Sequence, residues 1–597
     1  MALLRAIGRA LEHLGNRGFP HSTRFVKEYV LPLWRWYLAG TLTVLLTNWL
    51  SVLVPTLMAD ALDTMRAGEP GAAADALKIG VLGLSIIVVR TLSRVWFFTP
   101  GRLAESQLRE RFFSKLVRLQ PSFYARYPTG DLLSRATSDM SFARALAGFA
   151  FMQAFNVVGT LVMGVGKMLS LSPALTLTVA VPCAVAYWGV SRATPQLMAR
   201  QRVAQKQLGA LADELLSTFQ GVATVQGFCA EDQFIARLDA KAADLRESNL
   251  AMTKLRVAAF PLLTVAGGVA TWGLLAFGAP AVRSGQLSAG QLAAFIALVG
   301  FIVIPMRMLG WLLPVFQRAE ASLERIWLVV DEAVDRPDAG IAKVPPASGP
   351  TLTFTNLRFA FGDAPDRPVL DGVTATIPGG STVGVYGPVG SGKSTLLRLL
   401  SRLVNPPPGT IFVDGVDIRE LDLNLWRQQL CVVAQTPFLF SESVQENIGF
   451  GASREAVMAA ARAAALGPDL ETLPAGLDTV VGERGITLSG GQRQRVALAR
   501  GLLRPASLVL LDDVLSAVDH KTEHELLDTL RARSEATRIV VSHRMSALVH
   551  TDLILVLDGG RLVDQGPHAE LVLRPGPYRD AWETQRESEA AAAEATA

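Results

Sequence analysis

The sequence predicts a two-part fold, an all-α transmembrane domain of six helices followed by a soluble α/β domain. Half of the 597 residues are hydrophobic and only 18% are charged, which is typical of a chain that lies partly in a membrane. Six apolar spans of about 20 residues occupy the first half of the chain. Beyond a stretch rich in proline and glycine, the composition becomes that of a soluble protein.

Each apolar span is long enough to cross a bilayer as one helix. The connections after the second and fourth spans are long and polar, whereas the others are short. Because lysine and arginine concentrate in the two long connections, we expect these, both termini and the soluble domain to be cytoplasmic. Part of each long connection should continue the spanning helices. The spans are predicted at residues 36–62, 79–98, 146–169, 172–190, 257–279 and 292–314.

The charge and the cysteines exclude some classes of function. A net charge of +4 is too small for so long a chain to indicate nucleic-acid binding, and we expect no nucleic-acid partner. The basic residues instead fit cytoplasmic loops beside a lipid bilayer. The three cysteines, Cys183, Cys229 and Cys431, lack the spacing of a metal site and are expected to be buried as small hydrophobic residues.

A glycine-rich loop predicts a nucleotide site in the soluble domain. Residues 383–386 are predicted to form a strand and residues 394–400 a helix, and the loop between them follows the spacing G-x-x-x-x-G-K-[ST]. Such a loop points backbone N–H groups at phosphates at a helix N-terminus. The residues expected to bind ATP here are Gly387, Gly390, Ser391, Gly392, Lys393, Ser394 and Thr395.

A second segment predicts the position of Mg²⁺. Residues 508–511 are apolar and predict a buried strand, and Asp512 and Asp513 stand at its end. Asp512 is expected to hold Mg²⁺ together with the hydroxyl of Ser394. Asp513 is then the candidate base for the attacking water.

These motifs divide the chain into five predicted segments. The linker assignment depends on its prolines and glycines, and the tail assignment on its alanines and glutamates. The segments are a basic N-terminal segment at 1–35, the six-span domain with cytoplasmic coupling loops at 36–330, a linker at 331–350, the nucleotide-binding domain at 351–580 and the tail at 581–597.

Further motifs occur in the order found in ATP-binding cassette (ABC) proteins, and the chain resembles that family. The soluble half is thus expected to be an α/β P-loop NTPase domain of the ABC type. The membrane half resembles the six-helix domain of type IV exporters. The family's signature sequence is matched by Leu488, Ser489, Gly490, Gly491 and Gln492, its Q-loop by Gln435, its D-loop by Asp519, its switch histidine by His543 and its adenine-stacking aromatic by Phe361.

The resemblance implies roles for these residues. Gln435 is expected to contact both nucleotide and Mg²⁺, and His543 is expected to be catalytic. Glu483 resembles the loop that touches the membrane domain in exporters. Phe361 has an alternative, because it alternates with Phe359 and Leu357 along a predicted strand and a core role is also open.

Asp513 departs from the family pattern, which usually has a glutamate at this position. The side chain is one methylene shorter, so its carboxylate is displaced, and a misplacement of about 1 Å can cost on the order of 100-fold in rate. The site is therefore expected to bind ATP well and to hydrolyse it poorly. In this family two nucleotide domains close head to tail, so that each ATP lies between the glycine-rich loop of one chain and the signature of the other. Residues 511–519 resemble those of the noncatalytic subunit of bacterial heterodimeric multidrug exporters. Because the signature is intact while the carboxylate is altered, the resemblance implies a heterodimer in which this signature completes the active site of a second half-transporter.

The resemblance also implies a bacterial inner-membrane exporter of amphiphilic drugs or lipids. The alternatives are a homodimeric exporter with slow hydrolysis, an importer built on the exporter fold, and a nucleotide-gated channel or regulator. The spans contain few polar groups that could select a substrate. The ionisable residues of interest are Arg90, Lys167 and Arg307, since charges within a membrane are costly and often functional.

Overall fold

The computed structural model describes residues 19–68, 72–259, 261–334, 343, 348–362, 364–482, 485, 487–514, 526 and 535–596. The chain divides into two compact units. The first contains the described residues within Met1–Arg118 and Tyr127–Glu332, and the second contains those within Leu119–Arg126 and Ala333–Ala597. Most of the predicted linker at 331–350 lies outside the described residues.

The first unit is helical, and several of its helices are much longer than a bilayer requires. Three short π-helical segments, Val26–Val30, Arg135–Asp139 and Leu146–Ala150, interrupt the regular helices. The helices of this part of the chain are α1 Pro20–Phe25, α2 Trp34–Ala67, α3 Ala72–Leu116, α4 Pro121–Arg126, α5 Thr129–Ser134, α6 Met140–Ala145, α7 Phe151–Leu171, α8 Pro173–Gln220, α9 Val222–Gly227, α10 Glu231–Ala259, α11 Pro261–Arg283 and α12 Ala289–Val330. Of these, α4 belongs to the second unit.

The predicted spans all fall on helices. Within the described residues, five helical stretches are long and apolar enough to cross a membrane, and the start of α12, Ala289–Pro305, is a shorter apolar helix. The five stretches are Pro20–Ala67, Ala74–Leu116, Thr129–Leu171, Pro173–Gln220 and Glu231–Arg283. Because α3 has 45 residues and α8 has 48, both helices extend past the predicted ends of their spans, and part of each long connection continues a spanning helix, as predicted.

Packing within the first unit combines an apolar core with polar links between helices. Val52, Met168, Val179 and Ile302 belong to one buried cluster that joins α2, α7, α8 and α12. The Asn48 side chain donates to the backbone oxygen of Asn156 at 3.2 Å and so bridges α2 and α7. Such polar bridges help to fix neighbouring helices where apolar packing alone has no preferred register.

Two of the cysteines behave as predicted and one does not. Cys183 and Cys431 are buried. The prediction is wrong for Cys229, which is exposed and has a φ of +49° just after α9. Its apolar neighbour Phe228 is also exposed, so this turn between α9 and α10 buries little of its own surface.

The second unit is an α/β domain with two sheets. An antiparallel sheet has the strand order β2-β1-β4-β5, and a mainly parallel sheet has the order β10-β9-β3-β8-β7-β6. The strands are β1 Leu352–Phe359, β2 Leu370–Ile377, β3 Thr382–Tyr386, β4 Ile411–Val413, β5 Val416–Asp417, β6 Leu430–Val433, β7 Leu508–Asp512, β8 Thr537–Val541, β9 Leu553–Asp558 and β10 Arg561–Gly566.

Helices flank the sheets and supply much of the core. Trp426 is fully buried, and its indole N–H donates to the backbone oxygen of Leu400 at 2.9 Å. The helices are α13 Lys393–Leu400, α14 Leu423–Gln428, α15 Val444–Gly449, α16 Arg454–Ala463, α17 Gly467–Thr472, α18 Gly490–Leu502, α19 Met545–Leu548, α20 His568–Leu571 and α21 Pro577–Thr596. The tail is therefore helical as far as Thr596.

Candidate nucleotide-binding site

The candidate site lies at one edge of the parallel sheet. Strands β3, β8, β7 and β6 are neighbours and run in parallel. Their carboxyl ends lead into the glycine-rich loop, His543, Asp512 with Asp513, and Gln435, respectively. Open parallel sheets bind ligands at this edge, because the loops that follow neighbouring strands converge there. The fold thus brings together four motifs that are far apart in the sequence.

The glycine-rich loop has a backbone that requires glycine. Gly390 and Gly392 have φ values of +87° and +96°, a region that is unfavourable for residues with a Cβ. A Cβ on Gly392 would lie 2.6 Å from the Leu370 side chain, so there is also no room for one. Helix α13 begins at Lys393, directly after this turn, and its N-terminus provides the free N–H groups that favour phosphate.

Lys393 is folded back onto the loop. It is 7% exposed, and its ammonium donates to the backbone oxygens of Gly387 and Pro388 at 2.7 and 2.8 Å. Burial lowers the pKa of Lys393, and the carboxylates of Asp512 and Asp513 oppose that shift. An ammonium in this position can leave the two backbone oxygens for a phosphate, which is a stronger acceptor.

Other polar groups of the loop are suited to phosphate and Mg²⁺. Ser391 is 2% exposed, and within the described residues its buried hydroxyl makes no hydrogen bond. Thr395 is buried and Ser394 is half-buried. A buried hydroxyl without a partner is costly, so a bound phosphate oxygen would satisfy Ser391.

The groups available for Mg²⁺ carry oxygen atoms. The Ser394 hydroxyl, the Asp512 carboxylate and the Gln435 amide lie at the same edge of the sheet. Mg²⁺ prefers oxygen ligands and is commonly held by one or two protein groups together with substrate phosphates and water. These residues fit such a site, where the ion would neutralise charge on the β- and γ-phosphates.

Asp513 is held close to the end of its strand. Its φ is +51° and its N–H donates to the Val541 backbone oxygen at 2.9 Å. Its carboxylate accepts from the Gln435 side-chain amide at 3.4 Å and from the His543 backbone N–H at 3.5 Å. The residue is 7% exposed. Asp513 therefore lies at the candidate site, and the partners of its carboxylate include the Gln435 side chain and the His543 backbone.

The imidazole of His543 and the amide of Gln435 remain accessible, since both residues are exposed in the single chain.

Phe361 lies outside the strand on which the sequence placed it. Strand β1 ends at Phe359, so the prediction that Phe361 continues the strand is wrong. Phe361 is half-buried, and its ring lies edge-on to that of Phe359 with centroids 5.1 Å apart, an arrangement that leaves part of the ring free for an adenine base.

The signature segment forms the start of helix α18. The Ser489 hydroxyl accepts from the Gln492 backbone N–H at 3.2 Å, and the Gln492 side chain accepts from the Ser489 N–H at 2.9 Å. This reciprocal capping box fixes the start of the helix. Ser489 and Gly490 are exposed, and Leu488 is buried beneath them. None of the described hydrogen bonds joins residues 488–492 to the glycine-rich loop of the same chain.

Two contacts of the signature helix were missed by the sequence analysis. The spacing Ser489-x-x-Gln492 is itself the signal for a capping box, so that contact could have been predicted. Below it, Arg495 donates to both carboxylate oxygens of Asp469, at 2.7 and 2.9 Å, and Gln492 donates to the same carboxylate at 3.4 Å. Asp469 belongs to α17, so this pair depended on the tertiary fold and left no local signal.

Asp519 and Glu483, two of the predicted motif residues, lie outside the described residues.

Comparison with protein families gives two matches that together follow the two-part organisation. The family described as ABC transporter transmembrane region matches residues 37–306. The family described as ABC transporter matches residues 370–516, which include the glycine-rich loop, the signature and both aspartates.

Individual proteins are similar over nearly the whole chain. The multidrug resistance-like ATP-binding protein MdlA of Escherichia coli K12 is 33% identical over 564 residues, which cover 93% of this chain and 95% of that protein. The probable multidrug resistance ABC transporter ATP-binding/permease protein YheI of Bacillus subtilis 168 is 32% identical over 572 residues, which cover 94% of this chain and 96% of that protein. A solved structure of a bacterial Atm1-family ABC exporter with ATP bound superposes with a TM-score of 0.79 at 28% identity, covering 93% of this chain and 98% of that one. The chain therefore belongs to the ABC transporter family, as an integral membrane half-transporter of the exporter type that carries its own ATPase domain.

Proposed function

We propose that the chain is one subunit of a heterodimeric ATP-driven exporter in which the two nucleotide sites differ. Its loop half-site (residues 387–395 with Asp512 and Asp513) binds ATP and Mg²⁺ but hydrolyses the nucleotide weakly. Its signature half-site (residues 488–492) completes the efficient site of a second half-transporter. ATP binding then closes the two nucleotide domains, and hydrolysis at the partner's site opens them again. Such a cycle requires the two transporter states to differ in their affinity for ATP.

The observation that carries this proposal is the position of Asp513. A general base must reach the attacking water, at about 2.6–3.2 Å from its carboxylate. Asp513 is one methylene shorter than glutamate, it is 7% exposed, and its two oxygens face Gln435 and the His543 backbone. These features support a carboxylate that stays near the strand end and activates water poorly.

Nucleotide binding has separate support. Lys393 is buried next to two loop carbonyls, which are neutral acceptors, so its positive charge is available to a phosphate. Ser391 offers a buried hydroxyl that makes no hydrogen bond in the described part of the chain. Neither feature depends on Asp513, so weak hydrolysis does not imply weak binding.

The signature half-site supports the need for a partner. The N-terminus of α18 is exposed in the single chain, and its capping box leaves further N–H groups of the first turn directed outward. A helix N-terminus of this kind attracts phosphate. We therefore assign it to the ATP that is bound on the loop of the second subunit.

The relatives support a proposal for the substrate and the cellular location. MdlA and YheI are named for multidrug resistance, and this chain is similar to both over more than nine-tenths of its length. We assign it hydrophobic or amphiphilic substrates, drugs or lipids, which it moves out of the cytoplasm or inner leaflet. The proposed location is the bacterial inner membrane, with both termini and the nucleotide domain in the cytoplasm.

A homodimer with slow hydrolysis is the second candidate, and one observation favours it. His543 follows β8 at the position expected for the switch histidine, and its side chain is accessible. Among the described residues, the loop half-site therefore departs from the family pattern at Asp513 alone, where the family usually has a glutamate. In this case two copies of the chain would form two equal, slow sites.

Native mass spectrometry of the affinity-purified transporter separates the two candidates. The proposal predicts a 1:1 complex with a different half-transporter, in which one ATP per complex survives a single-turnover chase while the other is hydrolysed. A complex of two identical chains that loses both nucleotides at the same rate would contradict it.

A further inference from the structure

A cavity among α2, α3 and α7 contains two arginines within a predicted span. It has a volume of about 240 Å³. Its lining includes Arg90 and Arg94 from α3, Thr47 from α2, and Gln153 and Asn156 from α7. Charged residues within a membrane span are rare and usually functional, so two in one cavity require an explanation.

The two guanidiniums lie on the same face of their helix. Residues four apart along a helix have Cβ atoms about 5–6 Å apart. Both side chains are exposed in the single chain, and no described residue forms an ion pair or hydrogen bond with either guanidinium. Pairing of Arg90 with an acidic residue of its own helical bundle therefore finds no support among the described residues.

The remaining polar lining also leaves hydrogen-bond donors available. The hydroxyls of Thr47 and Ser93 already donate to backbone oxygens of their own helices, at 2.7 Å each. By contrast, no described residue bonds the side-chain amides of Gln153 and Asn156. Four side chains can thus donate into the cavity, and two of them carry a permanent positive charge.

This arrangement fits an anionic oxygen group. Guanidinium binds carboxylate and phosphate through paired N–H donors, and its charge remains at any physiological pH. Val44 and Met152 are buried and supply apolar lining beside the charges. We propose that the cavity binds the phosphate or carboxylate head group of an amphiphile, with Arg90 and Arg94 as its specificity-determining residues.

This proposal rests on the exporter function only in naming a class of substrate. It requires neither hydrolysis nor an asymmetric pair of nucleotide sites. Its test can therefore be made without nucleotide, and a negative result would leave the proposed role of Asp513 untouched.

The test measures binding of dodecyl phosphate to the full chain in phosphatidylcholine nanodiscs, with dodecyltrimethylammonium as a probe of equal tail length and opposite charge. We expect dodecyl phosphate to bind at least about tenfold more tightly than the cation, because charge-assisted hydrogen bonds favour the anion. Arg90→Gln and Arg94→Gln should each weaken dodecyl phosphate binding about tenfold, and the double variant should remove the preference for the anion.

Two further variants keep the result interpretable. Arg102→Gln removes an exposed charge from the same helix outside the cavity and should leave binding unchanged. Arg90→Lys retains charge without the paired donors and should lose less affinity than Arg90→Gln. Equal binding of both probes by the unmodified chain, or unchanged dodecyl phosphate binding by the double variant, would overturn the proposal.

Competition identifies the source of the anion. Displacement of dodecyl phosphate by inorganic phosphate would identify a soluble anion as sufficient, whereas displacement only by phosphatidylglycerol in the nanodisc would identify a lipid head group. Both results support the site. If instead the arginine variants separate the purified transporter into subunits without altering probe binding, the arginines pair with carboxylates of the second subunit and the proposal is wrong.

Discussion

The loop half-site and the signature half-site belong to the same domain but differ in completeness. The loop half-site has the glycines, Lys393 and the buried Ser391 hydroxyl, which makes no hydrogen bond to any residue that the structure describes, as candidate phosphate ligands, while its candidate base is the short Asp513. The signature half-site has its capping box and exposed helix N-terminus intact. Under the proposed function, nucleotide binding and nucleotide hydrolysis depend on different groups, so one domain can bind ATP while hydrolysis takes place at the partner's site.

The largest effect is expected at the signature half-site. In the single chain a Cβ on Gly490 would meet open space, and an acidic residue suits the first turn of a helix, so Gly490→Asp should fold. The added carboxylate would oppose the partner's ATP, and turnover of the assembled transporter should fall at least about 100-fold, since like charges at an interface cost several kcal/mol.

Gly490→Ser is the matched control, because it adds a small side chain without charge. Steady-state ATP hydrolysis of both variants is measured with the partner present. Equal turnover by Gly490→Asp and the unmodified transporter would show that α18 does not face a phosphate.

A smaller effect is expected at the loop half-site when Lys393 is replaced. Lys393→Ala removes a charge-assisted contact to the phosphates and should weaken ATP binding to the chain about 10- to 100-fold. Equilibrium binding of a fluorescent ATP analogue measures this change, and Lys27→Ala, outside the site, serves as the control. ATP binding that is unaffected by Lys393→Ala would argue against binding of ATP by the loop half-site.

The support beneath the signature predicts a change in stability. Asp469→Ala removes the two hydrogen bonds from Arg495 and the contact to Gln492, and the free energy of unfolding should fall by about 2 kcal/mol. Asp478→Ala is the control, because its pair with Arg454 is exposed and should matter little. Thermal unfolding of both variants provides the measurement, and equal midpoints would show that the Asp469 pair does not stabilise α18.

The smallest effect is expected for Asp513 in the assembled transporter. If the partner's site performs hydrolysis, Asp513→Ala should change steady-state turnover less than about twofold, whereas loss of the partner's glutamate should abolish it. Large and equal losses of turnover from both changes would mean that both sites contribute to ATP hydrolysis.

Local patterns predicted much of the nucleotide domain. The apolar run before Asp512 and the loop before Lys393 specify a strand end and a strand–loop–helix unit through residues adjacent in sequence, and the structure confirms both as β7 and β3–α13. Helix ends in the membrane domain were less predictable. The apolar pattern stops near Phe98, but α3 continues to Leu116 because polar residues are compatible with helix outside a membrane.

Other features depend on tertiary structure and gave no local signal. The strand order β3-β8-β7-β6 brings His543 and Gln435 to Asp513, although 78 residues separate Gln435 from Asp513 in the sequence. The positive φ of Asp513 likewise arises where β7 ends beside β8. The open cavity around Arg90 and Arg94 requires three helices, so a helical pattern alone could not distinguish it from a paired charge.

ATP hydrolysis by the purified chain without a second half-transporter tests the central claim most directly. Asymmetric sites predict a low rate that Asp513→Ala leaves nearly unchanged, while ATP binding persists. Rapid hydrolysis by the isolated chain that Asp513→Ala abolishes would show that Asp513 is an effective base and would contradict the account.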